Sequence, residues 1–270
     1  MPWMSAQFTV TVGTVMHRSK LSLKKWILAI FLMVSSKKGI SALQLQRQLN
    51  IASYQTAWHL CHRVRLAMTE GPLAKKLGSQ SKVVEADETY IGGKPRRGDK
   101  HSDRPRRQGV TTKTPILVLV ERGGKAISKP VPETKGGVPA DFVRENADLS
   151  GTLMTDESNL YTKVGREFEG GHHSVKHSLD EFSRVDPAKD GGTVVAHNNT
   201  AESFFSLVKR GHIGAFHKWG TQHIHRYMAE FDFRWNRRKD TDTERMVAAI
   251  KGIEGRRLTY DTLPTGSPWQ

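Results

Sequence analysis

Residues 82–91, Lys-Val-Val-Glu-Ala-Asp-Glu-Thr-Tyr-Ile, read as a β-strand closed by Gly92-Gly93. The β-branched and aromatic content suits a strand inside a sheet, yet the run carries three acids, Glu85, Asp87 and Glu88. Side chains alternate across a strand, so Glu85 and Asp87 share one face and Glu88 takes the other. An ionised carboxylate in a central strand is costly unless something compensates it, and a metal ion is the usual compensation. Whatever fold this chain adopts must bring a partner to that strand.

The residues downstream alternate strands and helices. Lys94–Lys113 is a basic loop with Arg96, Arg97, Arg104, Arg106 and Arg107. Pro115–Val120 is a buried strand, Glu121-Arg-Gly-Gly a turn, and Lys125–Val131 a third strand, so an antiparallel meander is expected. Ala140–Ala147 reads as a short helix and Thr152–Asp156 as a strand. Asp156 stands at that strand's carboxyl end, where open α/β sheets present their chemistry, although alone it reads as well as a turn or capping aspartate. Asn159–Phe168 is expected as a helix and Gly171–His177 as a strand.

A helix follows from Asn198 to Arg210. Glu202 could complete a capping box with Asn199. It also shares a polar face with Ser206 and Lys209, two turns on, where an acid could hold a metal and a cation grip the adjacent phosphate. Ile224, Tyr227, Met228, Phe231 and Trp235 form the core stripe of a later helix. Arg226, Arg234, Arg237, Arg238 and Lys239 occupy its other face and end, and phosphate binding is expected there. Thr241–Ile253 is one more helix, and the Gly- and Pro-containing end is expected to fray.

Upstream, residues 7–15 alternate as a strand would, and Ser22–Val34 reads as a helix ended by Lys37-Lys38-Gly39. Ser41 and Gln44 have capping-box spacing, with Ile40 and Leu45 as a hydrophobic staple. Ala42, Leu45 and Leu49 face a core, Asn50–Ser53 turns, and Ser53 can cap a second helix. In that helix Ala57, Leu60, Cys61, Val64 and Met68 make one buried stripe, with Cys61 a core thiol. The other face shows Tyr54, Gln55, Trp58, His59, His62, Arg63 and Arg65. This describes a DNA-reading helix-turn-helix or an ordinary helical hairpin with a basic face.

Charge favours the first. Forty-two Lys+Arg against 27 Asp+Glu leave a formal charge of +15 and a pI near 10.0, so a polyanionic partner, most simply nucleic acid, is expected. The single cysteine excludes a disulfide framework or a cysteine-built zinc site within this chain. The longest apolar run, Trp26–Val34, falls well short of the about 20 residues needed to span a bilayer, and it lies too late for a signal peptide. No histidine pair has the i, i+4 spacing with an adjacent acid that a metalloprotease helix needs, so no structural zinc is expected.

The order of these pieces resembles that of a DDE-type insertion-sequence transposase with an RNase H-like core. The segments Val84-Glu-Ala-Asp-Glu-Thr-Tyr-Ile-Gly-Gly-Lys94, Thr155-Asp-Glu, Asn199-Thr-Ala-Glu202 and Phe231-Asp-Phe-Arg-Trp-Asn-Arg-Arg238 are similar to those of the group that carries an N-terminal zinc ribbon. The resemblance covers roughly residues 7–240. It implies an α/β fold, an RNase H-like mixed sheet flanked by helices, preceded by an all-α helix-turn-helix domain. Residues 1–20 would be a ribbon remnant, 21–72 the DNA-binding helices, 80–240 the catalytic domain, and 241–270 a helix and tail. The ribbon's cysteines are missing, so the chain is expected to be shortened at its N-terminus.

By the same resemblance Asp87, Asp156 and Glu202 form the catalytic and metal-binding triad. The resemblance implies Lys209 as the accompanying basic residue, and the polar and basic faces read above add Arg210, Tyr54, Gln55, His59, Arg63, Arg234, Arg237 and Arg238 as expected DNA contacts. Two divalent ions about 4 Å apart suit successive phosphodiester hydrolysis and strand transfer. Mg²⁺, with Mn²⁺ as a substitute, is the expected cofactor because oxygen ligands suit it. Asp87 is expected to bridge the ions; Glu85 or Glu88 would do so if the strand's register differed. The expected partners are double-stranded DNA, both element ends and target, and further copies of the chain on that DNA; the location is cytoplasmic, at the nucleoid. The competing readings are a DNA-binding regulator, a shortened inactive transposase acting as an inhibitor, and an unrelated metal-dependent nuclease.

Overall fold

A computed structural model describes residues 9–71, 75–79, 82–92, 113–189 and 191–259. The expected basic loop 94–113 lies almost wholly outside the described residues, as do residues 1–8 and the tail from 260. In chain order the elements are α1 (Leu23–Ser35), α2 (Ala42–Gln48), α3 (Tyr54–Met68), β1 (Val83–Ile91), β2 (Thr114–Glu121), β3 (Ala126–Pro130), α4 (Val138–Asn146), β4 (Thr152–Thr155), α5 (Thr162–Gly165), β5 (His172–Ser174), β6 (Arg184–Pro187), β7 (Thr193–Ala196), α6 (Asn199–Gly211), α7 (Ile224–Asn236) and α8 (Asp242–Lys251).

The main sheet has the order β3-β2-β1-β4-β5. β1, β2 and β3 form the expected antiparallel meander, while β4 pairs parallel to β1 and β5 parallel to β4. β1 is therefore central, and its acids sit in the middle of the sheet. One face, with Ile116, Val118 and Val120, is covered by Phe204, Phe205 and Val208 of α6 and Tyr227, Met228 and Phe231 of α7. The other face, with Val84, Ala86, Leu117, Leu119 and Leu153, packs on Phe142 and Val143 of α4 and on Tyr161 and Phe168. This is a mixed α/β, RNase H-like core.

α1, α2 and α3 make a second core with Ala249 of α8 and Phe233 of α7. The expected stripe Ala57, Leu60, Cys61, Val64 and Met68 is buried there, and burial pushes the Cys61 thiol up to about 11. Ser22 and Ser41 cap α1 and α2 by accepting from Lys25 and Gln44 amides. Thr241 and Glu244 form a reciprocal capping box on α8.

Four local expectations need correction. Residues 9–17 are turns rather than a strand, because their only ladder partner is Glu254, bridged by Thr14. Ser53 stands at the N-cap of α3 without a side-chain hydrogen bond. The helix expected over 159–168 is a 3₁₀ turn, Asn159–Tyr161, followed by the short α5. The β6–β7 hairpin was not foreseen; its exposed Val185 and Val195 give no one-sided burial pattern to read.

Three α3 residues expected on an open face are buried: His62 (0% exposed), Arg63 (7%) and Arg65 (2%). α7 and the turn before it cover His62 and Arg65, while α1 and the turns at 9–17 cover Arg63. Arg65 Nε donates to Glu230 Oε2 at 2.7 Å, both side chains being buried, and its guanidinium lies 4.0 Å from the Tyr227 ring centroid. Burial alone would raise the Glu230 carboxyl, but Arg65 and Arg234 together hold it below its ordinary value. The helical region and the sheet domain thus share a buried ion cluster.

Candidate active site

β1 and β4 run parallel with Glu85 opposite Met154. Continuing that register by two residues sets Asp87 beside Asp156, just past the end of β4. Asp87 projects to the face covered by α6, because it pairs across β2 with Val118 of the α6-facing core, and it lies close enough to Asp156 to feel its charge. α6 adds Glu202 in its first turn. Its first turn brings Glu202 to the cavity because Glu85, two residues before Asp87, seizes the helix N-terminus: it accepts from Thr200 N at 2.7 Å, Ala201 N at 3.0 Å and Thr200 Oγ1 at 2.9 Å. Arg122 Nε donates to the same carboxylate at 2.6 Å. The alternative role of Glu85 as the metal bridge is thereby taken away, and so is the capping-box reading of Glu202, since Glu85 caps α6.

A cavity of about 520 Å³ opens over these groups. Asp87, Glu88, Glu202, Ser206, Lys209 and Arg210 line it, joined by Lys38 from the α1–α2 turn. Burial first, and then the charges of Asp156, Glu88 and Glu202, push the Asp87 carboxyl up to about 8. Among the described residues no cation is ion-paired with Asp87 or Asp156; Asp87 Oδ1 accepts from the Glu88 amide at 2.7 Å and Asp156 Oδ1 from the Ser158 amide at 3.0 Å. Glu88 looks to the α4 face and accepts from the Tyr161 hydroxyl at 3.0 Å. Burial and Asp156 raise its carboxyl, against the lowering effect of Tyr161 and Ser158. Glu202 is 53% exposed and lies 3.6 Å from His177 Nε2.

A set of oxygen donors, half-buried at Asp87 and Asp156 and exposed at Glu202, with no cation paired to Asp87 or Asp156 among the described residues, fits a hard divalent ion. Among the described residues, however, no three such side chains already close on one ion-sized point.

The DNA-binding set divides. Lys209 and Arg210 are exposed on the cavity wall. Tyr54 (51% exposed) and Gln55 are exposed at the start of α3, and His59 is half-buried. Arg63 and Arg234 require correction. Arg63 donates to the His17 carbonyl at 2.7 Å and lies over Trp26; Arg234 is buried on Glu230 and on the Met33 and Ser36 carbonyls. Both serve packing because α1 and the turns at 9–17 close over faces that a helix in isolation would leave open. Arg237 pairs with Asp240 at 3.0 Å, and Arg238 donates to the Gly124 carbonyl at 2.9 Å. Neither lines the acid cavity. Sequence reasoning missed Lys38, Tyr161 and His177, whose neighbours in the chain carry no signal of the site.

Residues 79–236 match the family model for the ISXO2-like transposase domain. That segment spans more than half of the chain and contains every acid of the cavity. The chain belongs to the ISXO2-like transposase family. It is also 27% identical over 215 residues, 75% of its own length, to an uncharacterized protein in transposable element ISH50 of Halobacterium salinarum. The match spans 66% of that protein, just under two thirds. Among the described residues no helix is long and apolar enough to cross a membrane.

Proposed function

We propose that this transposase cleaves DNA and joins the freed 3′ end to a second DNA, with Asp87, Asp156 and Glu202 as its metal-binding carboxylates. The observation that carries the reading is the juxtaposition of Asp87 and Asp156, from two adjacent parallel strands, with Glu202 of α6 on a cavity that also bears Lys209 and Arg210. The raised Asp87 carboxyl marks a place where negative charge is uncompensated, as expected of groups that await a cation.

Asp87, Asp156 and Glu202 would hold the ions, Mg²⁺ or Mn²⁺. The bound ions supply Lewis-acid stabilisation of the attacking and leaving oxygens. Lys209 and Arg210 hold the substrate backbone by its phosphates. Glu85 fixes α6 and therefore the direction of Glu202. Tyr54 and Gln55, exposed at the start of α3, would read base edges. The chain is proposed to act on its element's ends and on target DNA as an oligomer.

The test uses DNA carrying the gene's own flanks, purified protein, and Mg²⁺ or Mn²⁺. Cleavage and strand joining by the chain, and neither by Asp156→Asn, is the expected result. DNA binding without metal-dependent cleavage by either protein overturns it in favour of a DNA-binding regulator. Cleavage without joining favours a nuclease.

A further inference from the structure

The acid cavity poses an electrostatic problem for its own substrate: a phosphodiester entering it meets Asp87, Glu88 and Glu202. Cations on the rim must offset that repulsion. Two of them, Lys209 and Arg210, come from the last turns of α6. The third lining cation, Lys38, comes from the α1–α2 turn, more than 160 residues earlier, and stands on the helical region rather than on the sheet domain.

The location of Lys38 is set by two glycines. Gly39 has φ +92°, a conformation that side chains with a Cβ rarely adopt, and a Cβ there would run into the Phe216 ring. Gly211, the last residue of α6, leaves only enough room for the Lys38 backbone: a Cβ would lie 2.8 Å from the Lys38 carbonyl oxygen. The turn is thus pressed onto the end of the helix that carries Glu202. The Lys38 side chain itself is exposed, and among the described residues it makes no hydrogen bond or ion pair. A long cation held at its base and spent on no protein acid is arranged to meet an external anion.

We infer that Lys38 is a DNA-phosphate contact supplied to the catalytic cavity by the helical region, closing a clamp with Lys209 and Arg210 around the strand being cut. The inference rests on the transposase reading above and adds a residue and a direction to it. It means that the recognition helices and the chemistry grip the same DNA backbone, so docking of one orients the other.

The experiment measures binding of a fluorescein-labelled duplex to the full chain by anisotropy over a series of KCl concentrations, with Ca²⁺ present, for wild type, Lys38→Ala, Lys38→Arg and Lys37→Ala. Lys37 is the exposed neighbour that does not line the cavity. Each phosphate contact contributes about 0.9 to the log–log salt slope. Lys38→Ala is expected to flatten the slope by about that amount and to weaken low-salt binding several-fold, with Lys38→Arg restoring both and Lys37→Ala changing neither. Equal effects of Lys37→Ala and Lys38→Ala, or none from either, would sink the inference while leaving the transposase reading intact if wild type still cleaves. Absence of salt-dependent binding by wild type would overturn both.

Discussion

Glu85 and Thr200 lie 115 residues apart, yet the Glu85 carboxylate receives both the amide and the hydroxyl of Thr200, at 2.7 and 2.9 Å. With the Ala201 amide added at 3.0 Å, an acid of the central strand does the work of an N-cap for α6. Two residues further along the same face, Asp87 accepts from the Glu88 amide at 2.7 Å and lies beside Asp156. One strand thus carries a structural acid and the acid proposed to bind metal, on the same face. Glu85 is held by the first amides of α6 and by Arg122, whereas Asp87 lies among the charges of Asp156, Glu88 and Glu202.

Glu85→Ala should therefore destabilise the protein strongly, because Arg122 and two amides lose a buried partner. A cost of about 3–5 kcal/mol is expected, the size of breaking one side of a buried charge pair, read by urea denaturation. Glu85→Asp is too short to reach Thr200 and should recover little of it.

Asp87→Asn should abolish strand cleavage, by roughly a hundredfold or more, while leaving the fold no less stable at pH 8. The folded carboxyl titrates near 8 against an ordinary 3.8, so its stabilising contribution is complete below 3.8 and is lost as pH rises through 8. Without metal, the wild-type melting temperature should fall across that window relative to Asp87→Asn. Added Mg²⁺ should raise the wild-type value and leave the variant's unchanged.

Glu230→Gln should loosen the joint between α3 and α7. It leaves the buried Arg65 and Arg234 guanidinium groups without their carboxylate. A loss of about 3–5 kcal/mol is expected, with Lys209→Ala, which is exposed on α6, as the variant that melts like wild type.

Acid should destabilise the same joint. His62 is fully buried against Trp58, His223 and Tyr227. Burial, followed by Arg65, His223, Arg226 and His59, drives its ring far below 6.5. His59, His223 and His225 are lowered to about 4, burial again leading. Groups whose folded values are depressed contribute stability above 6.5 that disappears as pH falls. Thermal melts should decline from pH 6.5 towards 4, and His62→Phe should show a shallower decline; an unchanged slope would contradict this account.

Much of this was legible in the chain itself. Alternation along Val83–Ile91 separated Glu88 from Glu85 and Asp87, and the stripe from Ala57 to Met68 marked the buried side of α3. Ser22, Ser41 and Thr241 announced their helices through hydrogen bonds only three residues long. In each case the deciding partner lies within one turn, or on the next residue of the same face, so composition and spacing contain the answer.

The rest waited for the tertiary structure. Arg63, Arg65 and Arg234 satisfy the pattern of an exposed basic face, and no local rule distinguishes them from Lys209 or Arg210. They are buried because α1, α3 and α7 meet there, bringing Glu230 to Arg65 across 165 residues. Glu202 satisfied a capping box on paper until Glu85 took the helix end, and Lys38 marked only a helix's finish until Gly39 and Gly211 pressed its turn against α6. Periodicity reports which side of an element is apolar. Which charge meets which, and which cation is left for DNA, depends on contacts that chain folding alone brings within a few ångströms.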